Sequence, residues 1–146
     1  MSKNFTKKND RFITKDSEGN ENGSLITIYN NSENLYPDGY YPSQVYLTTL
    51  IVGKVKGPHL HYKRDGLFTC IRGDVRIILK DNGKYKIFKS GENYDYASIF
   101  IPRGIPAAIQ NISSKEAYLL NMPNPAWTKE MDDEFSDDFS DFNFES

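Results

Sequence analysis

The chain has 146 residues, 38% of them hydrophobic and 14% aromatic, enough for one domain with a buried core. Its formal net charge of −2 hides an asymmetry: residues 129–146 hold eight acids and one base, which leaves 17 basic and 12 acidic residues in 1–128. No apolar run approaches the ~18 residues of a membrane span, and the basic residues form neither a stripe nor a nucleic-acid motif, so neither membrane nor nucleic acid is expected as a partner.

Residues 1–22 are polar and rich in asparagine and glycine. They read as a loose N-terminal arm, or as a strand exchanged with a partner. The start of the chain is charged and carries no apolar stretch, so no secretory signal is expected. The single cysteine, Cys70, cannot form an internal disulfide, which favours a cytoplasmic setting.

From residue 23 to residue 128 the pattern is β. Runs rich in Val, Ile, Thr, Tyr and Phe cover Leu25–Tyr29, Val45–Val52, Leu67–Ile71, Val75–Lys80, Lys84–Lys89, Tyr96–Ile101, Ala107–Ile112 and Ala117–Met122. Asn82-Gly83 predicts a two-residue hairpin turn, and "KSGEN", "PRGIP" and "SSKE" are further breaks. No 3.6-residue period appears before residue 128, and nothing could serve as a crossover helix for parallel strands. The fold class expected is therefore all-β and antiparallel, a small barrel or a jelly roll. Residues 129–146 form an acidic tail in which Phe135, Phe139 and Phe142 fit one helical face. Four phenylalanines are costly to leave in water, which predicts a docked but weakly held tail.

The only two histidines stand in "VKGPHLHYKRDG". Two residues apart on a strand, His59 and His61 point to the same face. If that face lines a barrel, both imidazoles enter one cavity; otherwise they lie at a solvated strand edge.

The spacing around them resembles the first motif of the cupin superfamily. Gly53 is followed by five residues, His59-Leu60-His61, three residues, Asp65 where glutamate is usual, and Gly73 one position late. A second motif follows as Pro102-Arg103-Gly104, Ile105, Pro106, then Ala107 in place of the usual histidine, and Asn111. The resemblance covers about residues 45–122 and implies a double-stranded β-helix, the cupin jelly roll. Within the superfamily, Lys56-Gly57-Pro58-His59-Leu60-His61 and the later Cys70-Ile71-Arg72-Gly73 are similar to the branch containing dTDP-4-dehydrorhamnose 3,5-epimerases and dTDP-4-keto-6-deoxyhexose 3,4-ketoisomerases.

That branch implies an isomerase acting on a nucleotide-linked 4-keto-sugar without metal or other cofactor. A general base removes a C–H next to the ketone, and an imidazole titrating near 6.5 suits the task. The resemblance implies His61 as the base and His59 as its orienting or sugar-contacting neighbour. Lys56, at the family's arginine position, is a candidate phosphate or sugar contact. Lys63, Arg72 and Arg103 are further anion-contact candidates, and Tyr46 offers a phenol if it faces inward. A homodimer paired through strand exchange is also implied. Two alternatives stay open: a non-catalytic cupin that binds a sugar or anion, and a metal-dependent cupin using His59, His61 and Asp65.

Overall fold

The computed structural model describes residues 5–33 and 41–145. Their strands are β1 (Thr6–Lys7), β2 (Arg11–Lys15), β3 (Glu21–Ile26), β4 (Tyr46–Leu50), β5 (Val55–Leu60), β6 (Gly66–Arg72), β7 (Asp74–Asp81), β8 (Lys84–Gly91), β9 (Ser98–Ile101), β10 (Ala107–Asn111), β11 (Ala117–Asn121) and β12 (Phe135–Ser136), with one 3₁₀ turn at Asn31–Glu33. Two five-stranded sheets face each other, in the orders β1-β9-β6-β11-β4 and β12-β5-β10-β7-β8, and β2-β3 forms a separate hairpin. All strand pairs are antiparallel.

Strand β7 shows why the sheets pack this way. Val75, Ile77 and Leu79 alternate onto the inner face and are fully buried against Ile99, Ile109 and Leu119. Each contributes roughly 1.5–3 kcal/mol by leaving water. The other face of β7 carries Arg76, Ile78 and Lys80 and is covered by the tail: Ile78 and Ala108 bury Phe139 between them. The turn from β7 to β8 places Asn82 and Gly83 both at positive φ, 52° and 75°, the two-residue turn expected for Asn-Gly.

The tail differs from the helical expectation. It runs as the short strand β12 and then as turns, with Phe139 buried and Phe142 and Phe144 packed beside it. Pairing of Phe135 with Leu60 and Ser136 with His59 draws it along β5 instead of coiling it. At the other end, β1 pairs with β9 through Thr6–Ile99, and β3 runs across residues 22 and 23. No helix among the described residues is long and apolar enough to cross a membrane.

Candidate active site

A cavity of about 470 Å³ opens between the sheets. Tyr46 of β4, Phe68 of β6 and Asn121 of β11 line one wall. Lys56 and His59 of β5 and Ala107 of β10 line the other, and His61 projects from the turn after β5.

A bulge brings Lys56 and His59 to one face although they stand three apart. Ala107 pairs with His59 and Ile109 with Lys56, so β5 carries an extra residue there. Gly57 takes the strain at φ +91°, and a Cβ on it would meet the Ala107 carbonyl at 2.7 Å. Only glycine fits so close an approach.

Each histidine meets an acidic residue of the tail. His59 Nδ1 lies 3.0 Å from a Glu134 carboxylate oxygen. Among the described residues its Nε2 has no hydrogen-bond partner, and the ring lines the cavity. His61 Nδ1 lies 2.9 Å from the Asp133 carbonyl oxygen, and Arg64 Nη2 lies 3.4 Å from its Nε2. A guanidinium can only donate, so Nε2 accepts and Nδ1–H donates to the carbonyl. Burial, and then the Arg64 charge, hold the His61 pKa below its ordinary 6.5, which keeps the ring neutral.

The carboxylate of Asp133 is buried and has another task. Its oxygens accept the backbone N–H groups of Tyr62 at 2.9 Å and Lys63 at 3.0 Å, fixing the turn that carries His61. Across the cavity, Asn121 donates its amide to the Tyr46 phenol oxygen, which leaves the phenolic hydrogen free for a ligand. Among the described residues the buried Asn121 carbonyl oxygen has no hydrogen-bond partner.

Of the residues singled out in the sequence, His59, His61, Lys56 and Tyr46 meet at this cavity. Lys63, Arg72 and Arg103 are not among its lining residues. Lys63 contributes its backbone to the Asp133 contact. Arg72 donates to the Glu116 carbonyl at 2.8 Å and stacks on Tyr118. Arg103 binds Asp65 through its backbone N–H at 2.7 Å and its guanidinium at 3.1 Å. Asp65 is therefore buried in its own ion pair, away from the imidazoles, and no group of three or more His, Cys, Asp or Glu among the described residues is placed to hold a metal. The donors of a cupin metal centre do not assemble: Ala107 stands opposite His59 where a third imidazole would complete the set. Glu134, Asp133, Arg64 and Asn121 were not foreseen. The signal for the two acids lay in the tail's β12 pairing, which no local pattern announces.

Facing antiparallel sheets, the His-x-His strand and the cavity between them define a cupin jelly roll. The chain belongs to the family described as FdtA: WxcM-like, C-terminal, whose model matches residues 8–145. No curated protein matches it. Among solved structures it is similar to a dTDP-4-dehydrorhamnose 3,5-epimerase from Elizabethkingia anophelis NUHP1, with a TM-score of 0.71 and 20% identity over 92% of this chain and 75% of that one. ChmJ, a 3'-monoepimerase from Streptomyces bikiniensis solved with dTDP-quinovose, gives 0.73 and 13% over 90% and 67%. QdtA, a sugar 3,4-ketoisomerase from Thermoanaerobacterium thermosaccharolyticum solved with TDP, gives 0.65 and 18% over 90% and 86%.

Proposed function

We propose that the protein is an epimerase or ketoisomerase of a nucleotide-linked 4-keto-sugar, working by metal-independent general-base proton transfer. The family and the fold it shares with dTDP-sugar epimerases and a ketoisomerase support this class of substrate. The observation that carries the chemistry is the His59–Glu134 pair, 3.0 Å apart, at the cavity.

A base must have its lone pair free. His61 was expected in this role, but its Nδ1–H is spent on the Asp133 carbonyl, not on a carboxylate, and a guanidinium faces its Nε2 at 3.4 Å, which opposes taking up a proton there. His59 holds a carboxylate on Nδ1 and keeps Nε2 open, so the proposal gives the base role to His59, with Glu134 stabilising the imidazolium that forms. The C–H bond beside the ketone breaks and its proton passes to Nε2. The bonding pair becomes a carbon–carbon double bond, and the carbonyl π pair moves to oxygen. Return of a proton to the same carbon from the opposite face gives the epimer. Alternatively, loss of the hydroxyl proton on the first carbon and protonation of the former carbonyl carbon moves the ketone. The proposal gives the acid role to the Tyr46 phenol, which lines the cavity with its oxygen held by Asn121. Exposed Lys56 at the cavity suits the diphosphate.

A homodimer is part of this proposal. The β2-β3 hairpin exposes Phe12, Ile13 and Leu25, and the edge strand β4 with its flanks exposes Val45, Leu47 and Ile51. Apolar area of this kind on a hairpin and a sheet edge suits a second copy of the chain. Sedimentation at micromolar concentration should give twice the 16.8 kDa chain mass, and a monomer would remove this element of the proposal.

The test of function is incubation with a panel of thymidine diphosphate 4-keto-6-deoxy-sugars in heavy water. Deuterium should enter the sugar next to the carbonyl, and His59→Asn should slow this by on the order of 10²–10⁴-fold. Binding of thymidine diphosphate with no deuterium in any sugar would instead make the protein a binding module.

A further inference from the structure

One charged group in the cavity has no task in the chemistry above. Arg64 lines the cavity between the histidine turn and β6. Among the described residues its Nη1 is buried without a hydrogen-bond partner, and its Nη2 makes only the long 3.4 Å contact to His61. A buried guanidinium donor without an acceptor is costly and uncommon.

The acids nearby do not serve it. Asp65, the next residue, is bound to Arg103; Asp133 is held by two backbone N–H groups; Glu134 is on His59. The backbone on both sides of Arg64 is fixed, since Lys63 N–H is held by Asp133 and Asp65 exchanges backbone hydrogen bonds with Asn124 at 2.8 and 3.1 Å. A cation thus stands in the cavity wall on a backbone held on both sides, with no carboxylate on its guanidinium among the described residues.

We propose that Arg64 is a further catalytic residue: its guanidinium receives the substrate oxygen that becomes anionic when the adjacent C–H is ionised. The inference rests on the isomerase reading. A donor aimed at developing charge in a site shielded from water lowers the barrier without needing to reorganise. The permanently charged diphosphate is the other anion the cavity would meet, but exposed Lys56 suits that group, whereas Arg64 stands half-buried beside His61. The same geometry gives Arg64 a second effect, because its charge beside Nε2 helps to keep His61 neutral.

The experiment compares wild type, Arg64→Met and Arg64→Lys for deuterium incorporation, kcat, affinity for thymidine diphosphate, and the His61 titration followed by NMR. In Arg64→Met, kcat should fall by about 10²–10³-fold while thymidine diphosphate affinity stays within about threefold. His61 should titrate at higher pH than in wild type. Arg64→Lys should recover much of the lost rate, and added guanidinium should restore part of it to Arg64→Met. A kcat within about threefold of wild type would overturn the inference, as would a loss of thymidine diphosphate affinity matching the loss of rate, which would place Arg64 on the diphosphate. If wild type itself incorporates no deuterium from any keto-sugar, the isomerase reading is what fails; if wild type exchanges and Arg64→Met matches it, only the role of Arg64 fails.

Discussion

The wall of the cavity and the tail that borders it are held by different forces. Strands β7 and β10 lie inside a sheet, with Ile77, Leu79 and Ala108 fully buried and a hydrogen-bonded neighbour on each edge. Residues 129–145 have one two-residue strand, one buried phenylalanine, and a fringe of polar ties: Lys80 to the Asp138 carbonyl at 3.0 Å, Gln110 and Arg76 to the Phe144 carbonyl at 2.8 and 2.9 Å, and Tyr85 to Asp141. Yet the weakly fastened segment supplies the Glu134 carboxylate that meets His59 and the Asp133 carbonyl that meets His61. In the proposed reaction the barrel sets where the imidazoles are, and the tail sets what they can do. The charge asymmetry along the chain agrees with this arrangement, since an acidic tail lies on a basic body.

The largest expected effect comes from removing the tail's charge at the site while leaving its shape. Glu134→Gln should lower kcat on the order of 10²-fold or more with little change in thermal stability, because the carboxylate is exposed and in the proposed reaction it stabilises the His59 imidazolium. Steady-state kinetics with the deuterium assay reads this directly. An unchanged kcat would mean that Glu134 is only a surface neighbour of His59.

A paired substitution separates the two regions. Ile77→Ala removes a side chain buried between the sheets and should cost about 2–5 kcal/mol of global stability in denaturant unfolding, with kcat preserved in the folded fraction. Phe139→Ala removes the tail's one buried anchor and should do the reverse. It should cost less than Ile77→Ala globally, because the tail opens locally before the barrel does. It should lower kcat by roughly tenfold, as Asp133 and Glu134 spend less time on the histidines. Hydrogen exchange should show the loss of protection confined to residues after 128. If Phe139→Ala melted the barrel as readily as Ile77→Ala, the tail would be part of the core and not a strap upon it.

How much of this could be read in advance follows the same division. The strands from Leu67 to Met122 were legible because each alternates apolar residues onto one inner face and ends at a turn residue, as Val75, Ile77 and Leu79 do before Asn82-Gly83. His59 and His61 both line the cavity, but strand parity is not what brings them there, because β5 ends at Leu60 and His61 stands in the turn that Asp133 holds. Strand β5 itself was hidden: "VKGPHL" has few β-formers, and the bulge at Gly57, which puts Lys56 on the histidines' face, depends on a close approach to Ala107 that no local pattern encodes. The tail docks as expected, but the helical spacing of Phe135, Phe139 and Phe142 does not set its path. What decides its path is pairing to β5, some 75 residues earlier, and the aromatic surface of Tyr85, whose ring lies 5.1 Å from both Phe139 and Phe142. Arg64 was passed over among other surface-looking cations for the same reason: only the folded loop shows that one of its nitrogens is buried and, among the described residues, unpaired.

The smallest expected effect lies where the two regions touch, and it has a defined sign. His61 in the unfolded chain takes up a proton near 6.5, whereas in the fold burial, followed by the Arg64 charge, pushes that event to lower pH. Between the two values the unfolded chain binds more protons, so the contribution of His61 to stability is intact above 6.5 and is lost as pH falls through the lower, folded value. Wild type should therefore lose slightly more thermal stability than His61→Asn on going from neutral to mildly acidic pH, before the carboxylates begin to protonate. Undocking the tail uncovers the ring, so in Phe139→Ala the His61 resonance should titrate closer to 6.5 than in wild type. Equal titration in both proteins would show that the barrel alone desolvates this imidazole, and the division of labour between wall and tail would then stop at Glu134.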